Sequence, residues 1–147
     1  MLFSNTHFTI GVHVLTALAA NRGEVVPSAR LAESVDTNPA FLRLVLGQLK
    51  EAGLVATKLG KGGGSFLARG SETIRLTDVF RATEGKAELQ AHRCEGDGHC
   101  HVAKSMAGFF DELSGRLDGA IERELDRMTI ADLLRRAESK TNPTPGA

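Results

Sequence analysis

Between His92 and His101 the chain carries both of its cysteines, Cys94 and Cys100, and three of its five histidines. Thiols and imidazoles this close together suit three kinds of chemistry. The first is thiol redox sensing: Cys100 falls at the expected start of a long helix, whose N-terminal dipole favours the nucleophilic thiolate, with His99 and His101 beside it. Cys94 would then be the resolving partner, five residues away across a stretch holding Gly96 and Gly98. The second is metal binding, since Cys94, His99, Cys100 and His101 together offer enough nitrogen and sulfur ligands for tetrahedral zinc, although adjacent residues do not easily reach one ion. The third is no chemistry at all, only a solvent-exposed polar loop. Of these the redox reading is preferred, with no bound cofactor, and zinc or an iron–sulfur centre stands as the alternative. A thiol or metal enzyme is the rival from another class, but the segment has few acids and bases and no surrounding pocket signals, so an enzyme is not expected.

A second constellation is cationic. Lys58 and Lys61 flank a glycine-dense stretch containing Gly62, Gly63 and Gly64, and Arg43 stands on the outward side of an apolar helical stripe. Backbone without Cβ atoms can approach a phosphate or enter a minor groove, with the lysines and Arg69 supplying charge. Three successive glycines exceed what a hairpin turn needs, and the Walker order of a nucleotide-binding loop is absent. Net charge is zero, yet residues 1–70 carry seven Lys/Arg against four Asp/Glu and residues 71–147 eleven against fourteen. A basic front half and an acidic back half assign nucleic acid to the first and a different task to the second.

Periodicity supplies the elements that hold these residues. Phe8, Val12, Leu15 and Ala19 predict an amphipathic helix from about Asn5 to Asn21, stopped near Gly23. Ser28 reads as the N-cap of a short helix with Leu31, Ala32 and Val35 inward, followed by the turn Asp36-Thr37-Asn38. Asn38 as cap and Pro39 as first helical residue open a third helix with Leu42, Val45, Leu46 and Leu49 inside and Gly53 as its stop. Two helices about a tight turn make a helix-turn-helix, whose second helix presents Thr37, Asn38, Ala40 and Arg43 to the major groove of DNA. Arg43 is the best base reader there, because Arg pairs with guanine N7 and O6, while Ser28 and Lys50 suit phosphates. Strands over Leu54–Lys58 and Ser65–Ala68 make a hairpin wing, and Leu76–Thr83 a short helix ending at Gly85.

From His101 to about Met128 an apolar seam runs through Val102, Met106, Phe109, Leu113, Leu117, Ile121 and Leu125 at spacings of three and four. A helix of roughly 26 residues is about 40 Å long, more than a small globule covers, so a second copy of the chain is the expected partner. Thr129–Ala137 predicts a last short helix. The domain reading is therefore 1–85 as a winged helix-turn-helix, 86–100 as a Cys/His effector loop, 101–140 as dimerisation and C-terminal helices, and 141–147 as a disordered tail. The fold class is mainly α with a small β-hairpin wing. His7 and His13, six residues apart on the first helix, read as packing residues, though either could approach the effector loop of a second copy.

No run is apolar enough to span a bilayer. The stretch Phe8–Ala20 superficially resembles a signal peptide, but no Lys or Arg precedes Arg22 and His7, Thr9 and His13 interrupt it, so a cytoplasmic protein is expected. In that reducing compartment a bridge between the cysteines would be a switch rather than a staple.

Taken with that order of elements, Leu31-Ala32-Glu33, Asn38-Pro39, Leu49–Val55, the wing Gly62–Arg69 and Ile74–Gly85 resemble the Rrf2 family of bacterial winged-helix regulators. The segment Asn5–Leu15 is most similar to its YwnA-like branch. The resemblance implies a DNA-binding homodimer, a repressor whose loop between Cys94 and Cys100 takes the input. The iron–sulfur and nitric-oxide sensors of the family hold a cluster with three cysteines in that loop. Here Met106 stands where the spacing would place a third.

Overall fold

The computed structural model describes residues 6–85 and 100–141. Six helices and one two-stranded hairpin follow in the order α1 (Thr6–Ala20), α2 (Ser28–Val35), α3 (Pro39–Glu51), β1 (Val55–Lys58), β2 (Gly64–Leu67), α4 (Leu76–Thr83), α5 (His101–Leu125) and α6 (Ile130–Thr141), with a 3-10 turn at Ser71–Thr73 before α4.

The first helix lies at the centre of the fold. Its buried residues are Gly11, Val14, Leu15, Leu18 and Ala19, a wider face than the expected stripe, because α2, α3, α4, α6 and the wing all pack on it. Gly11 is required by that crowding: a Cβ there would press on Val79 Cγ1 at 3.2 Å and Thr83 Cγ2 at 3.3 Å. Around α1 gather Leu31, Leu42, Val45, Leu49, Leu54 and Ile74, all at most 1% exposed.

The helix-turn-helix is built by its caps. Asp36 adopts a left-handed φ of 52°, and the Thr37 N–H donates to the Ala32 carbonyl at 3.2 Å, which ends α2 and turns the chain. Asn38 then caps α3, its Oδ1 accepting the Ala40 N–H at 2.8 Å, with Pro39 at the first helical position as expected. Ser28 is not a cap. Pro27 holds that position in extended backbone with no side-chain bond, and its carbonyl accepts the Arg30 and Leu31 N–H groups.

The wing pairs β1 with β2 antiparallel, Val55 opposite Leu67 and Lys58 opposite Gly64. Val26 and Ser65 exchange two 2.9 Å backbone bonds, so the segment entering α2 forms a third rung. That rung explains one glycine: a Cβ on Gly64 would collide with the Val26 carbonyl, and one on Gly63 with the carbonyl of Lys58. Gly62 has a φ of 74°. The three glycines thus each answer to the hairpin's own geometry, and the expectation that they exceed it is corrected.

The C-terminal helix returns to the first unit. Ile130, fully buried, donates its N–H to the Ile74 carbonyl at 2.9 Å, while Leu76 donates to the Met128 carbonyl at 3.0 Å. Leu133 and Leu134 pack on the same core, and α6 runs through Thr141 rather than stopping at Ala137. Asp132 accepts the Thr129 N–H at 2.9 Å, a bond that holds its carboxyl below the usual carboxylate range, helped by the Thr129 hydroxyl and an ion pair to Arg135.

Candidate nucleic-acid interface

Three elements converge beside the turn between α2 and α3. A groove of about 320 Å³ is lined by Ser28 from α2, by Arg43, Leu46, Gly47 and Lys50 from α3, and by Thr57, Lys58, Leu59, Gly64 and Ser65 from the wing. Four of the expected DNA-contacting side chains, Ser28, Arg43, Lys50 and Lys58, therefore share one surface with Gly64 of the wing. No carboxylate lines it. Lys50 Nζ donates to Thr57 Oγ1 at 2.9 Å, tying the end of α3 to the wing, and Arg43, Lys58 and Lys61 are exposed with no ion pair among the described residues.

The remaining expected contacts are placed differently. Ala40 is exposed on the face of Arg43, but the Asn38 side chain is engaged as a cap and Thr37 is half-buried. Gly62 is exposed at the hairpin end beside Lys61, and Gly63 is half-buried. Arg69 is not available for phosphate: its Nη2 pairs with Asp78 Oδ2 at 2.9 Å, the carboxylate that also accepts the Arg75 N–H opening α4.

Sequence reasoning missed Leu44, Gly47, Thr57 and Leu59. Leu44 is 52% exposed next to Arg43 and Leu59 is 88% exposed at the end of β1. The signal was available for Leu44, which falls outside the spacing of Leu42, Val45, Leu46 and Leu49, whereas Thr57 and Leu59 become neighbours of α3 only through the hairpin's tertiary position.

The other expected site is divided. Cys100 is exposed at the cap position of α5, where its carbonyl accepts the Lys104 N–H at 3.3 Å, and His101 is the first, exposed, helical residue. Cys94 and His99 lie outside the described residues. Among the described residues no group of three His, Cys, Asp or Glu could hold a metal ion. A cluster held by three thiolates of one chain does not fit a sequence with two cysteines. His7 pairs with Gln48 at 3.2 Å and meets Phe41 edge-on at 4.7 Å, and His13 Nε2 lies 3.3 Å from Ser34 Oγ.

The long helix α5 has no buried residue, and Val102 and Phe109 are 65% and 51% exposed. Met106, Leu113, Leu117 and Ile121 are half-covered. Leu125 packs against the chain's own core, with Met128. The C-terminal end of α5 is clamped to α4. Arg81 makes two bonds to the Glu122 carboxylate at 3.0 and 3.1 Å, Thr77 Oγ1 lies 3.2 Å from Asp126 Oδ1, and Arg75 Nη1 donates to the Asp126 carbonyl at 2.7 Å.

A helix-turn-helix joined to a β-hairpin across a cationic groove is a winged-helix architecture. The chain belongs to the Rrf2 family, described as an iron-dependent transcriptional regulator, whose model matches residues 4–136. It is similar to a putative HTH-type transcriptional regulator, YwnA of Bacillus subtilis, at 28% identity over 130 residues, 88% of this chain and 96% of that protein. Among solved structures it is similar to T. potens IscR, with a TM-score of 0.67 and 28% identity over 97% of this chain and 92% of that one. A transcriptional regulator from Lactobacillus plantarum shares the fold at a TM-score of 0.78 and 24% identity, covering 95% and 91% of the two chains. These relatives are transcriptional regulators, not enzymes, and no helix among the described residues is long and apolar enough to cross a membrane.

Proposed function

We propose that the protein is a cytoplasmic homodimeric repressor that reads a two-fold symmetric duplex through Arg43 and the wing, and that oxidation of Cys100 weakens this binding. The observation that carries the DNA-binding part is the groove between α3 and the wing, with Arg43, Lys50 and Lys58 on its walls and no carboxylate. A surface with that balance attracts phosphodiesters by releasing their counterions. Arg43 is the base reader and Lys61 a backbone contact. Arg43→Ala should cost about 1 to 3 kcal/mol on a preferred duplex and relax preference at one base position per half-site. Lys61→Ala should weaken all duplexes alike and reduce the salt slope by about one. Equal loss of preference from both would refute this division.

The redox part rests on Cys100, exposed where α5 begins, and on Cys94 as the only other thiol in the chain. An oxidant such as peroxide converts one thiolate to a sulfenic acid, releasing hydroxide, and the second thiol then displaces water to close a disulfide. The bridge needs the two Cα atoms within about 4.4 to 6.8 Å, and closing it would pull on the first turn of α5 and alter the spacing of the two recognition helices. Peroxide should lower duplex affinity reversibly in wild type and leave Cys100→Ser unaffected. A Cys100→Ser protein that still loses affinity sinks the switch, as does one metal ion or cluster per chain in anaerobically purified protein.

A further inference from the structure

We propose that the groove between α3 and the wing seats one sugar–phosphate strand of the duplex, with Gly47 as the point of closest approach and Leu59 as an apolar contact on the sugars. This rests on the DNA-binding reading above and specifies which surface of the duplex the groove takes.

Gly47 is exposed in the interior of α3, where glycine is destabilising relative to alanine. Among the described residues nothing asks for it. Its φ is not positive, and a Cβ there would meet no atom within 4 Å, whereas the helical Gly11 is packed against Val79 and Thr83. A residue that weakens its own helix without serving any internal contact makes room for something outside. Its neighbours state the chemistry of that occupant. Arg43 lies one turn before it, Lys50 one turn after, and Lys58 and Thr57 face it from β1, giving three cations and a hydroxyl around a wall with no acid. That composition matches a phosphodiester strand better than a protein surface, and a strand drawn in by these cations reaches α3 at the position that lacks a side chain.

Leu59 is the second observation. It is the most exposed large hydrophobic among the described residues, at 88%, and it lines the same groove between Lys58 and the turn that carries Lys61. Deoxyribose is the apolar part of the backbone. With lysines for the phosphates on either side, Leu59 covers the sugars between them.

The test uses full-length protein and the duplex that it enriches from a randomised library. Gly47→Ala should raise the melting temperature by about 3 °C, from helix propensity, while weakening duplex binding about tenfold. Gly47→Gln should melt no lower than wild type and bind more than about fiftyfold more weakly, on the enriched and on scrambled duplexes alike. Leu59→Ala should weaken binding about fivefold with an unchanged salt slope, in contrast to Lys58→Ala, which should flatten the slope by about one. Gly47→Gln and Leu59→Ala proteins that bind within about twofold of wild type overturn the seat while leaving the DNA-binding reading in place. A library that yields no enriched duplex overturns both.

Discussion

The winged-helix core and the long helix α5 are folded by opposite means. Around α1 the apolar side chains pack within the chain, with Val14, Leu15, Val45, Leu49, Ile74 and Ile130 all at most 1% exposed. Helix α5 spans 25 residues, about 38 Å, without burying one of them. Its C-terminal end is held to the core by the Arg75, Thr77 and Arg81 contacts to Glu122 and Asp126 and by Leu125. The core therefore packs on itself, whereas α5 leaves Val102 and Phe109 exposed. On the dimer reading proposed above, that exposed apolar face is the interface.

The strongest way to break the contrast is inside the core. Ile130→Ala should cost about 2 to 5 kcal/mol of stability, because the cavity would open where α6 plugs the winged helix. Chemical denaturation with a far-ultraviolet readout measures it, and a loss below about 1 kcal/mol would mean that α6 is dispensable to the core. The next largest effect is expected on α5. Leu117→Glu should weaken self-association by about 3 kcal/mol, on the order of a hundredfold, and leave the winged helix folded. A protein that sediments as an unchanged dimer would show that the seam lies elsewhere.

The smallest effect is at the clamp and depends on pH. The hydrogen bond from Arg81 lowers the Glu122 carboxyl from its ordinary value, and the Arg81 guanidinium is raised in turn by the same bond. A carboxylate whose folded value is depressed stabilises the fold above its unfolded titration range and loses that contribution as pH falls through the folded value. The α4–α5 contact should therefore be intact at neutral pH and loosen as acid protonates Glu122. Amide hydrogen exchange along residues 115–125 should be faster in Glu122→Gln than in wild type at pH 7, and the two should converge in acid. Identical exchange at pH 7 would remove the clamp.

Local signals were enough for much of this molecule. Asn38-Pro39 opens α3 because a side-chain cap and a fixed proline φ act within three residues, and Leu42, Val45, Leu46 and Leu49 are buried because helical period alone puts them on one face. The start and approximate length of α5 are legible for the same reason. Ser28 misled because a hydroxyl suits a cap in general, and only the backbone traced by the Val26 rung to β2 decides that Pro27 takes the position.

What tertiary structure alone decided involves residues distant in sequence. The return of Ile130 to Ile74, the pairing of Arg69 with Asp78, the steric need for Gly64 against Val26 and the meeting of Gly47 with Leu59 across one groove follow from how helices and hairpin are stacked. Periodicity reports which side of an element is apolar. It does not report which other element that side meets: of one stripe, Leu125 packs on the chain's own core while Val102 stays exposed.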